Sequence, residues 1–121
     1  MTQILVVDDE EVIRSLLVSF LTLTGYEAVA AQSGATALAL ATRLSPQAIF
    51  LDVSMPGMDG IETLQRLREL VPQATIIMMS GSADQATTTR ALALGAREFV
   101  QKPFDLQHVE RVILPKSCCH A

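Results

Sequence analysis

Five short apolar runs punctuate the chain, and amphipathic stretches separate them. Residues 3–7 (QILVV), 48–51 (AIFL) and 75–79 (TIIMM) are apolar almost throughout, the pattern of strands covered on both faces. Residues 27–31 (EAVAA) and 98–100 (EFV) are weaker runs and read as strands at the sheet edges. Between them, residues 11–23 carry Leu17, Phe20 and Leu21 at helical spacing, and Gly25 offers a left-handed stop. Ser33 is placed to cap a second helix running to Leu44, ended by Pro46. Residues 60–70 put Ile61, Leu64 and Leu67 on one stripe, which Val71 continues before Pro72. Asp84 is placed to cap a fourth helical stretch that stops at Gly95, and Asp105 to cap a fifth, closed by Pro115. The fourth contains Thr87, Thr88 and Thr89 in a row. Consecutive β-branched residues lose side-chain freedom in a helix, so this one is intrinsically weak. Right-handed crossovers between the strands of such a βαβαβαβαβα order predict a doubly wound α/β domain with a parallel sheet.

Composition narrows this further. A chain of 121 residues fits one domain, and 50% hydrophobic with only 4% aromatic residues describes one aliphatic core. A net charge of −4 weighs against direct nucleic-acid binding, which needs a basic surface. No window approaches the ~20 apolar residues of a membrane span, and the start lacks the pattern of an export signal. Cys118 and Cys119 are adjacent and near the end, so they cannot staple the domain; a reducing cytoplasm is the expected location. With His120 they form a short tail, 115–121, read as a frayed end in preference to a metal site.

The polar residues that follow the strands change the picture most. In an open parallel sheet, ligands sit beyond the carboxyl ends of the strands. Asp8 and Asp9 follow the first strand, Asp52 the third, Ser80 the fourth, and Lys102 with Pro103 the fifth. Each alone has a plain explanation: helix-start acids, a turn former, a strand-end serine, a loop lysine. Together they bring three carboxylates, a hydroxyl and an ammonium to one rim. Clustered carboxylates repel, so one must hold a proton or a cation must sit among them. Hard oxygen ligands suit Mg²⁺. A carboxylate can also attack phosphorus, and phosphoryl transfer needs chiefly positioning and charge neutralisation. Asp52 therefore stands where a phosphoryl donor can reach it.

The stretches LVVDDEE, LDVSMPGMDGIETL, MMSGSAD and GAREFVQKPF resemble, in order and spacing, the receiver domains of two-component response regulators. The resemblance spans residues 3–113 and implies a (βα)5 flavodoxin-like sandwich with strand order 2-1-3-4-5, a receiver domain over 1–114. It implies that Asp52 accepts a phosphoryl group from a histidine kinase or phosphotransfer protein. Asp9, Asp52 and the Ser54 backbone carbonyl would bind Mg²⁺ directly, and Asp8 through water, with Mn²⁺ able to substitute. Ser80 would move onto the phosphoryl group, Lys102 would pair with it, and the Lys102–Pro103 bond would be cis. Phe99 would be the aromatic whose rotamer follows Ser80, and the output surface would be the fourth helix, fifth strand and fifth helix. The implied protein is a regulatory phosphoacceptor with only slow self-catalysed phosphoryl transfer and loss. Its partner would be a downstream protein or a fused output domain, in a monomer or a weak phosphorylation-dependent dimer without membrane contact.

Two rivals use related chemistry or the same fold. A Mg²⁺-dependent phosphohydrolase needs a second acid two residues after its aspartyl nucleophile, where this chain has Ser54. A flavin carrier wants hydroxyls and bare amides after the first strand, where DDEE would repel the flavin phosphate. A receiver belonging to a longer regulator is a third possibility. Residues Met55, Met58, Gly57, Gly60 and His108 read as packing, turn or surface positions. The first helix has more apolar positions than one buried stripe needs, which predicts that Val12 or Val18 faces a partner.

Overall fold

The computed structural model describes residues 3–52, 60–80 and 85–101. Five strands, β1 (Gln3–Val7), β2 (Glu27–Ala31), β3 (Ala48–Asp52), β4 (Thr75–Ser80) and β5 (Glu98–Gln101), alternate with four helices. These are α1 (Glu11–Leu23), α2 (Gly34–Leu44), α3 (Gly60–Leu70) and α4 (Gln85–Ala93). All strand pairs are parallel, in the order β2-β1-β3-β4-β5. The flavodoxin-like doubly wound fold is therefore observed, with the two weaker apolar runs at the edges. The expected fifth helix, the Asp84 and Asp105 caps and the 115–121 tail lie outside the described residues.

The strands β3, β4 and β5 each run one residue further than the apolar pattern indicates, so Asp52, Ser80 and Gln101 are ladder residues. Period-two alternation divides the core into two layers. Leu5, Val7, Ile49, Leu51, Ile76 and Met78 face Ala37, Ala41, Leu64, Leu67 and Ala91 of α2, α3 and α4. Ile4, Val6, Phe50, Ile77 and Met79 face Leu17 and Leu21 of α1.

The helix ends are chemically determined. The Ser33 hydroxyl accepts the Thr36 amide at 3.2 Å as the N-cap of α2. α1 ends in a Schellman turn: Gly25 N–H donates to Thr22 O and Tyr26 N–H to Leu21 O, with Gly25 at φ 100°. α4 ends the same way, Gly95 N–H on Leu92 O and Ala96 N–H on Ala91 O, with Gly95 at φ 115°. The end of α2 is less regular, because Ser45 itself takes the left-handed conformation (φ 49°) before Pro46.

Candidate functional site: an acidic rim at the ends of β1 and β3

β1 and β3 are neighbours in the sheet, Val7 opposite Leu51, so the residues after Val7 and Leu51 meet at the rim. One oxygen from each of Asp8, Asp9, Glu10 and Asp52 lies within 4.8 Å of the others. Asp8 and Asp52 are buried, whereas Asp9 and Glu10 are exposed.

The backbone holds this cluster in place. The Asp8 amide donates to Ala31 O at 3.1 Å, extending the β1–β2 ladder by one residue. The Asp8 carboxylate accepts the Glu10 amide at 2.8 Å. Arg14, one turn into α1, donates from Nη1 to the Asp8 carbonyl at 2.8 Å. A buried carboxylate is tolerated only with such partners, and a charged acceptor makes the bond a strong one. Among the described residues, every buried side-chain polar atom has a hydrogen-bond partner.

Ser80 is completely buried at the end of β4, next to β3, where Asp52 pairs with Met79. Alternation sends Asp52 to the α1 side of the sheet, with Phe50, and Ser80 to the other side, with Met78. Phe99 pairs with Met78 across β4 and β5, half-buried and packed against the α2–α3–α4 layer. It therefore occupies the same face as Ser80, one side-chain position further from the rim. Ser54, Lys102 and Pro103 lie outside the described residues.

Two contributors were not foreseen as such. Glu10 joins the acidic cluster, and Arg14 fixes the loop that carries Asp8. Glu10 had a signal in its place directly after the acid pair. Arg14 had only its spacing, since nothing local in a helical arginine announces a bond back to the preceding loop.

The donors are hard carboxylate oxygens that converge on one point, a set suited to Mg²⁺. No helix among the described residues is long and apolar enough to cross a membrane.

Comparison with known proteins agrees with this arrangement. The profile of the response regulator receiver domain matches residues 4–114. The chain is 37% identical over 112 residues to the chemotaxis protein CheY of Bacillus subtilis, covering 92% of this chain and 93% of that protein. It is 37% identical over 111 residues to the regulatory protein AtoC of Escherichia coli, covering 92% of this chain but only 24% of AtoC. A response regulator protein from Burkholderia pseudomallei, solved with a phosphorylated aspartic acid, calcium ion and citrate, superposes with a TM-score of 0.86 at 29% identity. That match covers 90% of this chain and 64% of the other. The chain thus spans about a quarter of one relative and nearly all of another. With the parallel sheet, the acidic rim and these matches in agreement, the chain belongs to the response regulator receiver domain family.

Proposed function

We propose that the chain is a phosphorylation-driven switch in which Asp52 accepts a phosphoryl group from a histidine kinase or phosphotransfer protein. The observation that carries this reading is the meeting of Asp52 with Asp8 and Asp9 at one rim, with Ser80 at the neighbouring strand end. An Asp52 oxygen attacks phosphorus, the bond from phosphorus to the donor nitrogen breaks, and the donor imidazole leaves with the electron pair. The receiver domain is taken as 1–114, with 115–121 as a tail.

Asp9, Asp52 and the Ser54 carbonyl would hold Mg²⁺ directly, and Asp8 through water. The metal would neutralise charge on the phosphoryl oxygens. Asp8, held by the Glu10 amide and through its carbonyl by Arg14, keeps the acid pair oriented. Lys102, next in sequence after β5, would pair with the phosphoryl group, and its bond to Pro103 would be cis. The Ser80 hydroxyl would donate to the same group. The calcium and phosphorylated aspartic acid of the Burkholderia protein support a site of this chemistry on this fold.

Withdrawal of Ser80 would make room for Phe99, and the change would leave through α4, β5 and the fifth helix. The chain acts on other proteins and is not itself an enzyme with a turned-over substrate. Its target is a separate protein or an output domain on the same polypeptide, as the length of AtoC suggests. Neither nucleic acid nor membrane is its direct partner, its compartment is the cytoplasm, and it is a monomer or a weak phosphorylation-dependent dimer.

Intact mass after incubation with Mg²⁺ and acetyl phosphate tests this reading. One added phosphoryl group is expected in the native chain and none in Asp52→Asn. Stoichiometric labelling of that variant would remove Asp52 from the role.

A further inference from the structure

Arg68 belongs to α3, yet its side chain holds two other parts of the chain. Its Nη1 donates to Pro72 O at 2.9 Å and to Ala74 O at 3.2 Å, across the turn from α3 into β4. The rest of the side chain lies over Gly95, where a Cβ would meet Nε at 2.7 Å, Cδ at 3.1 Å and Cγ at 3.3 Å. Real Cβ atoms do not approach that closely, so Gly95 is required twice: by its positive φ and by the arginine stem on it. The stem cannot easily swing aside, because doing so gives up both carbonyl bonds.

Gly95, itself exposed, closes the Schellman turn of α4. Ala91 and Ala96 are buried there, and Leu94 packs with them against the layer that contains Leu64, Leu67 and Val71. Toward the other end, Ala86 and Thr89 are exposed and Thr88 is half-buried. The buried anchors Ala91 and Ala96 and the arginine contact therefore coincide at one end, while the weak Thr87–Thr89 run lies nearer the other.

We propose that Arg68 is a latch that pins the C-terminal end of α4 to α3, so that α4 moves as a lever about Gly95 with its N-terminal end travelling. Arg68 is then a positioning residue for the output face: it fixes the pivot, and the rim drives the free end. The signalling consequence rests on the function proposed above. The latch itself is a property of the unphosphorylated protein and is tested there, so the two can fail separately.

A double-mutant cycle by urea denaturation separates the contact from the backbone strain. Gly95→Ala introduces φ strain in every background but meets the arginine only when Arg68 is present. The loss in folding constant caused by Gly95→Ala is expected to be roughly fivefold larger with Arg68 than with Arg68→Ala. In Arg68→Ala alone, amide exchange of Leu94, Gly95 and Ala96 should accelerate roughly tenfold or more, with Val6 and Leu21 unchanged. Strict additivity in the cycle, or acceleration spread equally over the sheet and α1, would overturn the latch.

Discussion

The backbone N–H of Glu10 donates to the Asp8 carboxylate at 2.8 Å, and that carboxylate is completely buried beside Asp52. That bond stabilises the charge while the neighbouring carboxylates repel it, and the balance can be measured. Two carboxylates held within 4.8 Å repel by roughly 3 kcal/mol at an effective dielectric constant of about 20. Asp8→Asn keeps an oxygen acceptor for the Glu10 amide and removes one charge. It should raise stability without metal by about 1 kcal/mol, because relief of repulsion outweighs the weaker hydrogen bond. Urea denaturation in EDTA measures this, and a less stable variant would show that the bond dominates.

Mg²⁺ should act on the same balance from the other side. A ligand for the native state alone stabilises by mass action, so millimolar Mg²⁺ should raise the melting temperature at neutral pH. Protons compete for the same oxygens, so the gain should shrink as the pH is lowered. Asp9→Ala should lose most of it. Calorimetry with and without Mg²⁺ checks all three, and an unchanged melting temperature at neutral pH would speak against the metal site.

Val12 is 77% and Leu16 43% exposed, on one face of α1 that Leu23 (86%) continues. Val18, the other position considered for exposure, packs against the core. Four and seven residues separate the three, which aligns them opposite Leu17 and Leu21. The face begins beside the acidic rim and is expected to seat the kinase or phosphotransfer protein. Val12→Glu with Leu16→Glu should slow transfer from the kinase by about tenfold or more. Labelling by acetyl phosphate should be unaffected. An equal loss in both assays would indicate damage to the fold.

Ser80 and Phe99 share a sheet face, and this placement makes the coupling between them testable. Beryllofluoride with Mg²⁺ should shift NMR resonances of Phe99 and of α4 in the native chain. Phenylalanine has no hydroxyl to keep in water, so part of the inward rotamer population should exist before phosphorylation. Ser80→Ala should still be labelled, more slowly, with the distant shifts largely lost. Undiminished shifts in that variant would mean that the signal leaves by another route.

Much of this molecule is legible along the chain because its elements are locally determined. Apolar runs that need cover on both faces become central strands, and Gly25 and Gly95 stop helices because only glycine takes the required φ at little cost. Ser33 caps α2 through its own hydroxyl. The acids of the rim can be found from sequence as well, since a parallel sheet delivers every strand end to one edge.

Relations between elements are a different matter, because they depend on register and on which surfaces meet. The one-residue extensions of β3 and β4 make Asp52 and Ser80 ladder residues, with their faces set by pleat parity. No local preference distinguishes Val12 from Val18; packing against the sheet exposes the first and covers the second. Glu10 and Arg14 acquire their places from the turn out of β1, and Arg68 from the close approach of α3 to Gly95. Sequence determines the elements and the chemistry carried to their ends, since those follow from periodicity and backbone preference. Tertiary structure decides which side chains touch, because close packing admits only one of the many pairings that a one-dimensional pattern allows.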